Sequence, residues 1–322
     1  MTEEILSVRG LKTYFFTHSG VVKAVDGMSC TLRRSQIMGL VGESGAGKSV
    51  TGFSILKLID PPGKIVEGEI FFRGRDLLKL PDSELEKIRG NRVSMVFQDP
   101  QTSLDPVFTI GYQIREALTA HDTVGRRHAM NRAGELLTLV GIPSPVDRLR
   151  DYPHQFSGGM RQRVVISIAM ASGPDLIIAD EPSTALDVTV QAQVLILLRN
   201  LVRDHGAAMI LITHDIALVG QFCDTISVMY AGHLVEQGSK EAVIRQPMHP
   251  YTRGLIASVP GHQERRKRLK QIAGMMPNLI NMPPGCPFLP RCNLGSKTCE
   301  VRPVLQEVRP GHFVACHRRA EA

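Results

Sequence analysis

No run of about eighteen apolar residues occurs in the 322-residue chain, so no segment is expected to cross a bilayer as a helix. Internal repeats and low-complexity tracts are missing too, which argues against a repeat array. The first residues, Met1-Thr2-Glu3-Glu4, carry acid where a secretory signal would carry base, and a cytoplasmic location is expected. The net charge of +7 suits an anionic membrane surface, nucleic acid or plain solubility. It concentrates in Arg265-Arg266-Lys267-Arg268 and Lys270, with no aromatic residues interleaved. Nucleic acid is therefore the weakest of the three, leaving a solvated linker face or a place beside phospholipid headgroups. The six cysteines are unevenly placed: Cys30 and Cys223 stand singly and read as buried small hydrophobes, while Cys286, Cys292, Cys299 and Cys316 crowd the last part.

What is present is organised around phosphate. Gly42-Glu43-Ser44-Gly45-Ala46-Gly47-Lys48-Ser49 fits the P-loop pattern. Gly42 and Gly47 let the backbone curl so that its N–H groups face phosphate, and the start of the next helix adds its positive end. Lys48 is placed to reach the β- and γ-phosphates and the Ser49 hydroxyl to hold Mg²⁺. Ser44, Gly45 and Val50 complete the expected nucleotide-contacting set. Downstream, Leu176-Ile177-Ile178-Ala179 reads as a buried strand that ends in Asp180-Glu181, at the end of a strand where α/β ligands bind.

Residues 4 to 35 alternate apolar and polar positions and predict antiparallel strands. Gln36 to Val41 predicts a buried strand entering the P-loop, with a helix from about Lys48. Strand-like runs follow at Gly68 to Arg73 and Val93 to Phe97. From about 110 to 171 the pattern is helical, broken by Pro143, Pro145 and Pro153, and then strands at 176–179 and 209–212 alternate with a helix at 190–203. That alternation predicts an α/β fold, a parallel sheet with an inserted helical subdomain. Beyond about Arg245 the composition turns to Pro, Arg and Cys, with little regular structure expected.

Between the P-loop and the acidic pair lies Phe156-Ser157-Gly158-Gly159-Met160. With this element the chain resembles the ATP-binding subunits of ABC transporters over nearly its whole length. The resemblance implies a RecA-like sheet core, an antiparallel β subdomain and the helical insertion, together spanning residues 1–246. It implies that Asp180 orients Mg²⁺ through water and that Glu181 is the general base. Gln98 is similar to the family's Q-loop glutamine, which approaches Mg²⁺ and the attacking water. Ser183-Thr184-Ala185-Leu186-Asp187 is similar to the D-loop that crosses a dimer interface, and His214 to the switch histidine at the γ-phosphate. Phe15, with Tyr14 as the alternative, sits where the family stacks adenine. Ser157, Gly158 and Gly159 would meet ATP held by the opposite subunit. Met160 departs from the glutamine of most members, whereas peptide importers commonly carry methionine there.

The four clustered cysteines follow the spacing Cys286-x₅-Cys292-x₆-Cys299-x₁₆-Cys316, without the Cys-x₂-Cys pairs of zinc ribbons or the spacing of ferredoxins. Thiols grouped in a reducing compartment favour a metal that spacing does not name. Gly285-Cys286-Pro287-Phe288-Leu289-Pro290-Arg291-Cys292, after His249-Pro250-Tyr251-Thr252, resembles the C-terminal region of oligopeptide and dipeptide importer ATPases. That resemblance implies a 247–322 extension with a [4Fe-4S] cluster on Cys286, Cys292, Cys299 and Cys316, zinc being the alternative. It further implies ATP and Mg²⁺ as ligands, a second and paralogous ATPase subunit, two transmembrane permease subunits and an extracytoplasmic substrate-binding protein. The chain would sit peripherally on the cytoplasmic face of the inner membrane. The competing class is a soluble ABC ATPase acting on DNA or ribosomes, which usually carries coiled coils, tandem cassettes or zinc-finger insertions not found here.

Overall fold

The computed structural model describes residues 3–121, 125–183, 186–259, 271–280 and 282–318. The basic cluster at 265–270 and the D-loop residues Thr184 and Ala185 lie outside these. Chain contacts divide the protein into one unit of Met1–Glu3 with Lys79–Ile210 and a second of Glu4–Leu78 with Leu211–Ala322.

The second unit holds both sheet types. The strands Glu4–Thr17 and Gly20–Arg33 form a long hairpin, and Gly63–Phe72 pairs antiparallel with the first of them. The third strand begins five residues before the predicted 68, because pairing of Phe15 with Gly63 and Thr13 with Ile65 extends it through a half-exposed stretch with little apolar content. In the other sheet, Ile37–Val41 is buried throughout and runs parallel to Thr225–Tyr230, as expected for a strand covered on both faces. Thr225–Tyr230 turns back into His233–Ser239 through Ala231 and Gly232, both at positive φ (48° and 82°), the signature of a tight two-residue hairpin. Cys30 and Cys223 are buried in this unit as expected, and burial pushes the Cys30 thiol up to about 12.

The tail has more regular structure than its composition suggests. His312–Val314 adds to the edge of His233–Ser239 and pairs in turn with Gln306–Arg309. Pro250–Ala257 is a helix with proline in its first turn, where the missing N–H costs nothing. Its cap is His249, whose Nδ1 accepts the Tyr251 N–H at 3.1 Å. The imidazole is fully buried, and that burial pushes its pKa down to about 4. The unfolded chain therefore binds a proton near pH 6.5 that the folded chain refuses until about pH 4, so stability falls as pH drops through this window. His249→Asn, which keeps a short capping acceptor, is expected to flatten the loss of stability between pH 7 and pH 5, measured by urea unfolding, by up to about 2 kcal/mol. Parallel curves for the two proteins would count against the cap as the source.

In the unit of Lys79–Ile210, Val93–Val96 runs parallel to Leu176–Asp180. Helices Ile110–Thr119, Arg126–Leu139, Pro145–Arg148 and Gly158–Ala169 fill the predicted helical stretch, and Val188–His205 follows the second strand. Ile110, Ile114, Ala133, Leu137, Val164 and Ile166 are buried, so this region has its own apolar core. Among the described residues no helix is long and apolar enough to cross a membrane.

Candidate nucleotide site

The P-loop leaves the strand Ile37–Val41 at Gly42 and enters the helix Lys48–Ile55. A Cβ on Gly42 would meet the Met229 carbonyl oxygen at 2.2 Å, and one on Gly47, at φ 100°, would meet that of Ala24 at 2.1 Å. Glycine is thus required twice, by close backbone approach and, at Gly47, by a left-handed turn as well. Lys48 is buried, and its Nζ donates to the carbonyls of Gly42 at 2.9 Å and Glu43 at 3.0 Å. The cation thereby pins the curl of its own loop. Ser44 and Gly45 are exposed, and Ser49 and Val50 are half-buried in the first helical turn.

Of the aromatic candidates, Phe15 is half-buried with its ring beside Gly63, whose Cβ would lie 2.6 Å from Phe15 Cε1. Tyr14 donates its hydroxyl to Asp26 Oδ1 at 2.8 Å. His214 is exposed just past the buried strand Ala208–Thr213, and Asp215 caps the helix Ile216–Phe222 that follows.

The other unit carries the acids and the glycine pair. Asp180 ends its strand buried, while Glu181 is half-buried at φ 44°. Side chains other than glycine rarely adopt that left-handed conformation, and it tends to occur where function fixes it. Gln98 is exposed past Val93–Val96 and donates its Nε2 to Glu181 Oε2 at 3.1 Å, so two predicted site residues meet. Ser157 caps Gly158–Ala169, its Oγ accepting the Met160 N–H at 3.4 Å. Asp187 caps Val188–His205 through the Val190 N–H at 3.0 Å. Gly159 faces Val190, whose Cγ1 lies 2.5 Å from where a Cβ would stand, so glycine lets these two helix starts meet.

The ligand set assigned to the cysteines is corrected. Among the described residues no group of three or more His, Cys, Asp or Glu side chains is arranged to hold a metal ion. Cys286, Cys292, Cys299 and Cys316 do border one cavity, whose volume is about 10 Å³, room for about one water molecule. Burial raises the Cys286 thiol to about 11 and pushes Cys292 and Cys316 upward. Neither [4Fe-4S] nor zinc is supported by this arrangement.

Side chains that the sequence did not single out hold the tail instead. Glu236 is completely buried and accepts from the Met248 N–H at 2.8 Å, the His249 N–H at 3.0 Å and His312 Nε2 at 2.8 Å. Arg291 forms a two-pronged pair with Glu43 at 2.7 and 3.0 Å. Arg291, Glu43 and His249 stood in stretches already notable in the sequence, but nothing local marked their pairing, and Glu236 stood in none of them.

Comparison with known proteins agrees with this architecture. Residues 25–184 match the ABC transporter family and residues 235–299 the oligopeptide/dipeptide transporter C-terminal region. The dipeptide transport ATP-binding protein DppD of Bacillus subtilis is 46% identical over 98% of this chain and 94% of its own length. The oligopeptide transport ATP-binding protein OppD of Escherichia coli is 44% identical over 99% and 94%. Among solved structures, the dimeric ATP-binding cassette MJ0796 bound to ADP and Pi matches with a TM-score of 0.66 and 26% identity, over 73% of this chain and 98% of that one. With its P-loop, its strand-end acids and a peptide-transporter C-terminal region on one polypeptide, the chain belongs to the ATP-binding subunits of the oligopeptide/dipeptide branch of ABC transporters.

Proposed function

We propose that this ATPase subunit energises import of peptides or related small solutes, hydrolysing ATP between its own P-loop and the Ser157-Gly158-Gly159 segment of a second ATPase subunit. The observation that carries the shared site is the exposed start of the helix Gly158–Ala169. A helix N-terminus with a capping hydroxyl suits an anionic phosphate group, and two such chains can each complete the other's site.

In this reading the P-loop backbone from Gly42 to Val50 cradles the phosphates, Lys48 reaches the β- and γ-phosphates, and Phe15 stacks on the adenine. Glu181 takes the proton of the attacking water as general base, oriented by the Gln98 amide that it already accepts. His214 contacts the γ-phosphate, and Asp187 belongs to the loop that meets the second subunit. The oxygen donors of Ser49 and Gln98, with Asp180 acting through water, fit Mg²⁺, which when bound neutralises phosphate charge. Catalysis then rests on positioning and charge stabilisation.

In this reading the chain works with two permease subunits, a substrate-binding protein outside the membrane and a paralogous ATPase; the relatives named for dipeptide and oligopeptide transport support the transport role. The chain would be peripheral on the cytoplasmic face of the inner membrane. A shared site makes the isolated chain a poor ATPase: specific activity is expected to rise with protein concentration or on adding the partner ATPase, and the chain to copurify with integral membrane subunits. Full turnover in a dilute sample shown to be monomeric would contradict the shared site.

A further inference from the structure

The P-loop carries a carboxylate, Glu43, whose charge is of the wrong sign for a loop that binds polyphosphate. The structure turns this residue away from the loop's interior twice over. Its backbone N–H donates to Tyr251 Oη at 2.8 Å, and its carboxylate takes both prongs of Arg291. Tyr251 and Arg291 both come from the C-terminal extension.

The Arg291 side chain is only 5% exposed. Its Nε donates to the Ala273 carbonyl at 2.9 Å, and Nη1 also donates to Tyr230 Oη at 3.3 Å. The guanidinium lies 5.7 Å from the Tyr230 ring centre and 5.9 Å from that of Phe288. Tyr230, Tyr251 and Phe288 in turn pack on one another at 4.7–5.4 Å. A planar fork held this way has little freedom to leave the carboxylate. The same extension reaches the loop once more, where Met276 Cε lies 2.9 Å from the place a Gly45 Cβ would occupy.

We propose that Arg291 is a positioning residue of the nucleotide site: it neutralises Glu43 and holds it against the extension, so that the extension sets the affinity of the P-loop for nucleotide phosphates. The inference rests on the P-loop binding nucleotide and on nothing about cargo or membrane partners.

The test is calorimetric titration of the full chain with MgADP and MgATP, together with KM and kcat at a protein concentration that supports turnover. Arg291→Ala is expected to weaken MgATP binding and raise KM by about tenfold, the scale of one unpaired charge in a partly buried site, with kcat within about twofold. Arg291→Met retains packing against Tyr230 and Phe288 and is expected to show the same loss, which covers the case where the alanine variant folds poorly. In the double variant Arg291→Ala/Glu43→Gln the repulsive charge is gone, and binding is expected to return to within about threefold of wild type. Binding by Arg291→Met equal to wild type would overturn the proposal. So would a double variant as weak as Arg291→Ala, since the loss would then not pass through Glu43. Failure of the unaltered chain to bind MgATP would instead overturn the nucleotide site itself.

Discussion

Glu181→Gln should retain MgATP with near-normal affinity while turnover falls by about 10²–10⁴-fold, the usual contribution of a general base. Glutamine has the same shape and still offers an oxygen to the Gln98 amide, which donates to Glu181 at 3.1 Å, so positioning survives while the proton acceptor is lost. ATP that is bound and not cleaved should also hold two subunits together, visible as a nucleotide-dependent dimer on a sizing column. Turnover has to be scored in the assembled complex with each ATP site inactivated in turn, because a competent partner site could mask the loss. Near-normal turnover from the Glu181→Gln site alone would remove this residue from the base role.

Glu236→Ala should lower stability by about 3–5 kcal/mol, the summed scale of several buried donors each left unsatisfied at about 1–3 kcal/mol. Three donors converge on this completely buried carboxylate, the N–H groups of Met248 and His249 and the ring of His312, and each would be left without its acceptor. The three lie on either side of the helix Pro250–Ala257, so the loss should loosen the whole extension. Urea unfolding checks this, with Glu241→Ala as control. Glu241 is 61% exposed and paired only loosely with Lys240 at 4.0 Å, and its loss should stay within about 0.5 kcal/mol. A Glu236→Ala midpoint within error of that control would mean that strand pairing alone docks the tail.

These two glutamates differ sharply in how visible they are in the sequence. Glu181 stands just past four apolar residues and the strand-ending Asp180, so the acidic pair shows in the local pattern as the P-loop does, while its role and that of Ser157 come from the family resemblance. Glu236 lies in His233–Ser239, a strand with few apolar positions, and its partners stand 12, 13 and 76 residues away. The hairpin containing it turns at Ala231-Gly232, where the Asn-Gly or Asp-Gly that usually flags such a turn is absent. The helix Pro250–Ala257 was hidden for a related reason, since histidine is not among the residues that normally announce a cap.

The cysteines misled in the opposite direction. Their crowding along the sequence is real, and the fold does gather them, but around a cavity of about 10 Å³. A tail rich in Pro, Arg and Cys has little apolar surface with which to offset its ordering entropy, and buried polar pairs supply part of what apolar burial does not. Arg291 and Glu236 tie the tail to the body through pairs separated by 248 and 76 residues, a kind of contact that no local window detects.

The left-handed backbone of Glu181 bears on how this protein can be engineered. At φ 44° a residue other than glycine or asparagine carries a conformational penalty on the order of 1 kcal/mol. Exchange for glycine would relieve it and, on the base role proposed for Glu181, remove the proton acceptor. A library of variants sorted by heat resistance alone would therefore enrich dead catalysts at this codon. Any campaign to harden the protein needs an activity gate in every round, because the exchange that relieves strain here would, on that proposed role, also cost turnover.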